Sequence, residues 1–166
     1  MSSQFTREAL SSNDFEGFVP LRELRSSKEL IPAVRGVYVL LRISTHAPVF
    51  LEEGTGGFFK GKDPNVPIEV LRQNWVEASP VVYIGKAGDP GQAATLRSRL
   101  WQYLRFGIGA HVGHWGGRYI WQLEDAEDLL VCWLSLPDGT PGELESALID
   151  AFRQEYGVRP FANLTK

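Results

Sequence analysis

Apolar residues along this chain follow two periods, and together they predict a mixed fold. Gly36-Val37-Tyr38-Val39-Leu40-Leu41 is rich in β-formers and predicts a strand. Val81-Val82-Tyr83-Ile84-Gly85 and residues 129–136 predict two more, and Val49-Phe50-Leu51 and Tyr119-Ile120-Trp121 read as shorter ones. Helical spacing appears at Ile68, Leu71 and Trp75, with Pro67 suited to a first helical position. It returns at Leu96, Leu100, Tyr103 and Leu104 behind Thr95, a good N-cap. The last helix opens at Pro141 or Gly142 and carries Leu144, Leu148, Phe152 and Tyr156 on its core face. Gly157 ends it, with Pro160 beyond.

Between these elements the chain is punctuated. Gly107, Gly109, Gly113, Gly116 and Gly117 predict a loop, and Pro137-Asp138-Gly139 a turn. Residues 1–33 read as an N-terminal extension with a turn or cap cluster at Ser11-Ser12-Asn13-Asp14. There Phe15, Phe18, Val19, Leu21 and Leu24 are suited to packing across a sheet edge. From 44 to 80 the pattern loosens.

At 166 residues the chain fits one domain and can bury a core without disulfides or metal staples. A composition of 43% hydrophobic and 22% charged residues excludes disordered and collagen-like classes. The single cysteine, Cys132, sits in the apolar run 129–134 and reads as a buried, inert thiol. The N-terminus has no basic region followed by an apolar core, and no run reaches membrane-spanning length. The expectation is a soluble cytoplasmic protein.

Charge changes the picture locally. The net charge is −3, yet residues 90–123 hold no Asp or Glu while carrying Arg97, Arg99, Arg105, Arg118, His111 and His114. Such a stretch is a local footprint for an anion. Lys86 follows the second strand in a glycine- and proline-rich turn.

Taken singly, the candidate residues have ordinary explanations. Gly56-Gly57-Phe58-Phe59-Lys60-Gly61-Lys62 imitates P-loop spacing, but Asp63 stands where a hydroxyl is needed and Pro64 blocks a smooth helix start. His111 and His114 are spaced like half a zinc site, with no cysteine or second His pair to complete it; loop or phosphate contacts fit better. Tyr38 and Tyr83 suit a core or a sheet edge. Arg99 and Tyr103 share a helix face, where an arginine ordinarily snorkels over the core. Glu145 suits the dipole of a first helical turn, yet it also aligns with Ile149, Phe152 and Tyr156. Asn163 suits a turn.

In order, these pieces resemble a known family. Gly36-Val37-Tyr38 looks like a GIY motif, and Tyr83-Ile84-Gly85 is a literal YIG. Leu96-Arg97-Ser98-Arg99-Leu100 with Tyr103 resembles the helix after YIG. Glu145-Ser146-Ala147-Leu148-Ile149 resembles the helix glutamate, and Pro160-Phe161-Ala162-Asn163 the closing asparagine motif. The set resembles the GIY-YIG endonuclease superfamily, in motif style the excision-repair type with its Tyr-Ile-Gly-Lys-Ala signature. The family's two tyrosine strands are usually joined by a short hairpin. Here 45 positions separate Tyr38 from Tyr83, so 44–80 reads as an insertion, with target recognition a reasonable role for it.

The resemblance implies one α/β (α+β) domain, with a small, mainly antiparallel sheet flanked by helices. It implies metal-dependent hydrolysis of phosphodiester bonds in nucleic acid, with DNA the expected substrate and Mg²⁺ or Mn²⁺ the cofactor. Glu145 would hold the cation, Arg99 would clamp the phosphate and Tyr83 would act as base. Lys86 would lower the Tyr83 pKa, and Tyr38 and Tyr103 would contact water or phosphate. Asn163 would close the site. Arg97, Arg105, His111, His114 and Arg118, with the rings of Trp101, Phe106, Trp115 and Tyr119, would lie along the nucleic acid, at least half of those rings being core. The rival readings are a catalytically inactive nucleic-acid-binding module on the same fold, and a small-molecule-binding or interaction domain.

Overall fold

The six residues of β2 (Gly36–Leu41) are all buried, because the strand lies inside a sheet with helices on both faces. This is seen in a computed structural model that describes residues 2–112 and 114–164. Gly113, one of the loop glycines noted above, lies outside the described residues. β1 (Glu16–Pro20), β3 (Val81–Ala87) and β4 (Leu130–Ser135) complete a four-stranded sheet in the order β1-β4-β2-β3, every neighbouring pair antiparallel. The helices are α1 (Arg7–Ser12), α2 (Leu21–Leu24), α3 (Ile68–Asn74), α4 (Leu96–Phe106) and α5 (Pro141–Tyr156). The fold is α+β, as the sequence predicts.

Strand alternation divides the core in two. Tyr38, Leu40, Tyr83, Val131 and Trp133 join one cluster with Leu96, Leu100 and Leu104 of α4. Val37, Val39, Leu41, Ile84 and Cys132 join another with Leu10 of α1 and Ile149 and Phe152 of α5. Cys132 is buried there, and burial pushes its thiol up to about 12, consistent with an inert side chain.

Caps set the helix limits. Thr95 Oγ accepts from the Ser98 N–H at 3.1 Å while Ser98 Oγ accepts from the Thr95 N–H at 2.9 Å. The N–H groups of Leu96 and Arg97 donate to the carbonyls of Val34 and Pro32, so the segment just before β2 satisfies the start of α4. Pro67 lies just before α3 as its N-cap. At the end of α5, Gly157 takes φ 79°, the left-handed turn-off that glycine adopts without strain.

Three expectations change. Residues 16–20, read only as part of an extension, form edge strand β1 against β4; a register shift between Gly17 and Val19 breaks its alternation and hides it from the sequence. Tyr119-Ile120-Trp121 belongs to a 3-10 segment, Trp115–Gln122, rather than a strand. Val49–Leu51 contributes only the isolated bridge Phe50↔Leu123.

One buried side chain, with backbone hydrogen bonds from Leu51, Thr55 and Gly57 to the carbonyls of Gln122, Trp121 and Phe106, ties down the 44–80 segment. Gln122 Nε2 donates to the carbonyls of Leu51 (3.0 Å) and Val66 (2.9 Å), and its Oε1 accepts from the Val66 N–H (2.9 Å). Within this segment the P-loop imitation is a hairpin tip: Phe59 and Lys62 exchange backbone hydrogen bonds around Lys60 (φ 53°) and Gly61 (φ 74°). Among the described residues no helix is long and apolar enough to cross a membrane.

Candidate active site

Tyr38, Tyr83, Lys86, Arg99 and Glu145 line one cavity of about 350 Å³. They come from β2, β3, α4 and α5, so only the folded chain brings them together. Larger hollows exist, one of about 700 Å³ beside Thr6, His46 and Glu77, but among the described residues none of these four unites an arginine and a carboxylate with paired tyrosines.

Strand register places the tyrosines. Tyr38 pairs with Gly85 and Leu40 with Tyr83, so the two rings are diagonal neighbours on one face, 6.0 Å apart. A Cβ at Gly85 would stand 2.4 Å from Tyr38 Cζ, so the ring lies directly over the glycine of the YIG motif. β3 is an edge strand, and beyond its pairing with β2 the Ala162 N–H donates to its Val82 carbonyl at 2.9 Å. Asn163 covers the edge at Ile84: its Oδ1 accepts from the Ile84 N–H (3.0 Å) and its Nδ2 donates to the Ile84 carbonyl (2.8 Å). Asn163 therefore does not line the cavity; it holds the strand between Tyr83 and Gly85.

Glu145 reaches the cavity because Ile149 and Phe152, four and seven residues on, bury the same face of α5. It is the fifth residue of the helix. The first-turn acid is Glu143, so the dipole explanation of Glu145 gives way to its position beside the cavity. Arg99, on α4, donates from Nη1 to Gln102 Oε1 at 2.8 Å.

The electrostatics correct one expectation. Burial, then the negative charge of Glu145, pushes Tyr83 up to about 12, with Arg99 pulling the other way. Tyr38 is raised well above its ordinary value, chiefly by burial and then by Tyr83. Lys86 does not lower Tyr83: its ammonium pairs with Asp89 at 2.5 Å. Asp89 also accepts the Gly142 N–H at 2.7 Å, at the start of α5. These two contacts hold the Asp89 carboxyl below its usual range. Asp89, three residues after Lys86, joins the turn to α5, and that i, i+3 spacing was the only sign of it in the sequence.

Behind the cavity lies a buried aromatic cluster. Tyr103 is fully buried and donates its hydroxyl proton to the Gly117 carbonyl at 2.7 Å, so it does not reach a phosphate or water in the cavity. Its ring lies 4.0 Å from that of His114. His114 is 0% exposed, and its Nε2 is 3.1 Å from the Tyr38 hydroxyl. Burial and then the Arg99 charge hold its pKa well below the usual range, leaving a neutral ring.

The residues expected to lie along nucleic acid do not form one continuous exposed stretch. His114 is buried and points at Tyr38. Arg97 straps the N-terminal extension, donating from Nε to the Ile31 carbonyl (2.8 Å) and from Nη2 to that of Glu29. Arg118 stacks on Trp115, 4.5 Å from the ring centre, and donates to the Trp115 carbonyl. Arg105 and His111 are exposed. Of the four rings, Phe106 and Tyr119 are core, and Trp101 and Trp115 are half-buried.

Among the described residues no group of three or more His, Cys, Asp or Glu converges as a metal cage. The cavity offers the single carboxylate of Glu145, so a cation held there would complete its shell with water and substrate oxygen. That donor chemistry fits a hard, hydrated ion such as Mg²⁺. No family model, curated protein sequence or solved structure matches this chain.

Proposed function

We propose that this protein is a metal-dependent endonuclease that hydrolyses phosphodiester bonds in nucleic acid, with DNA the expected substrate. One observation carries the reading: Tyr38, Tyr83, Arg99 and Glu145, which follow one another along the chain in the order the motifs require, line a single cavity. Convergence of a permanent cation, a carboxylate and two phenols suits a reaction in which charge builds on a phosphate.

Each residue has a task its chemistry permits. The Arg99 guanidinium offers a planar fork for two non-bridging phosphate oxygens. Tyr38 and Tyr83 are held in a desolvated wall, where a hydrogen bond to phosphate or water is stronger than in bulk solvent. Glu145 is the candidate holder of a divalent cation, which would supply Lewis acidity and offset the carboxylate charge that raises Tyr83. Lys86 and Asp89 keep α5, and with it Glu145, against the end of β3.

A second reading has its own support. Both tyrosines stay protonated at neutral pH, which a site that binds nucleic acid without cutting it also tolerates. The test is nicking of supercoiled plasmid, alongside branched and single-stranded substrates, with Mg²⁺ or Mn²⁺. The reading expects cleavage that falls by roughly 10²–10³ in both Arg99→Ala and Glu145→Ala while the proteins stay folded. Binding without cleavage, unchanged in Glu145→Ala, favours the non-catalytic module. No cleavage and no salt-dependent binding removes both.

A further inference from the structure

His114 takes no part in the chemistry above, yet it is among the most constrained side chains near the cavity. Its ring is clamped by Tyr103 at 4.0 Å, and the Tyr103 hydroxyl fixes the backbone just beyond it at Gly117. Nε2 lies 3.1 Å from the Tyr38 hydroxyl. Nδ1 is buried with no hydrogen-bond partner among the described residues. The backbone of His114 itself works to raise the ring's pKa, the last of its three causes, but no acceptor meets hydrogen-bond geometry at Nδ1.

A neutral imidazole carries one proton, and hydrogen-bond accounting assigns its place. On Nδ1 it would be a buried N–H without an acceptor. On Nε2 it donates to Tyr38 and leaves only a lone pair unsatisfied. Buried donors without partners are rarer than under-satisfied acceptors, so the Nε2–H form is favoured. The Tyr38 oxygen then accepts from His114, and its own proton must turn elsewhere. Tyr83 is the hydroxyl within its influence, on the cavity side.

We propose that His114 is the positioning residue of this site: its Nε2–H holds the Tyr38 hydroxyl as a hydrogen-bond donor facing the cavity. In the free protein that donor points at Tyr83, and with substrate bound at a phosphate oxygen. Tyr38 is thereby a phosphate donor and not a base. The destination of the proton rests on the proposed nuclease reading; how Tyr38 is held does not.

Two measurements on the full chain test this. Long-range proton–nitrogen correlation spectra, with His114→Gln identifying the resonance, should show a neutral Nε2–H ring. An Nδ1–H ring, or an imidazolium at neutral pH, overturns the proposal. In the Mg²⁺ cleavage assay, His114→Leu should lower kcat by about tenfold or more with KM unchanged, as loss of an orienting partner does. His114→Gln, whose amide can donate from a similar reach, should restore kcat toward wild type. Equal losses in the two variants overturn the proposal. If wild-type protein cleaves nothing, the nuclease reading fails, and the spectra still decide the tautomer.

Discussion

The ring of Tyr38 lies over Gly85, its cross-strand partner, with no room for a Cβ between them. The first tyrosine motif and the glycine of the second are thus parts of one packing unit. Gly85→Ala puts a methyl 2.4 Å from Tyr38 Cζ, and both backbones belong to the sheet, so the ring must move. We expect about 1–3 kcal/mol of destabilisation and a displaced Tyr38, read by denaturant unfolding and by loss of the His114–Tyr38 contact in spectra. An alanine variant of unchanged stability would contradict this account.

Asn163 replaces a missing neighbouring strand for Ile84. Asn163→Ala leaves a backbone N–H and a carbonyl of β3 without these partners in a buried setting, at a cost of ~1–3 kcal/mol. Asn163→Asp keeps the acceptor but cannot donate to the Ile84 carbonyl, so it should recover little. Unfolding midpoints of the two variants check this; full recovery in the Asp variant would show that the donated bond is unimportant.

His114 makes stability depend on acid. The unfolded chain takes up this proton near its ordinary pKa of about 6.5, while the folded ring resists it. Its contribution is therefore complete above about pH 6.5 and is lost as pH falls toward the depressed folded value. Thermal unfolding across mildly acid pH should show this slope in wild type and a flatter one in His114→Gln. The same slope in both would assign the acid sensitivity to another group.

Tyr83 acts at the opposite end of the scale. Its folded pKa is raised to about 12, so its neutral form stabilises the fold fully below about pH 10, and this is lost as pH rises through the folded value. The tyrosinate absorbance difference between wild type and Tyr83→Phe should titrate near that value. Because Glu145 is the second cause of the shift, Mg²⁺ should move the titration downward, and Glu145→Gln should do so without metal. A titration indifferent to both changes would separate Glu145 from Tyr83.

The linear chain by itself determined the elements with a strong local period. The β-former runs at 36–41 and 81–85, the Thr95 cap with the Leu96, Leu100, Tyr103, Leu104 stripe, and the Gly157 stop all reappear, because each is set by neighbours a few residues away. Candidate residues Tyr38, Tyr83, Arg99 and Glu145 were legible as types in order. Strand β1 was not, since its bulge erases alternation. Nor was the work of the side chains between the motifs. An isolated Lys86 is a free cation on paper, and only α5 packing near the end of β3 gives it Asp89. His114 reads as a solvent-facing loop residue until Tyr103 and Tyr38, far apart in sequence, enclose it. Burial, partnership and proton position depend on contacts between distant segments, and spacing along a chain does not encode those. Tertiary structure alone decided them.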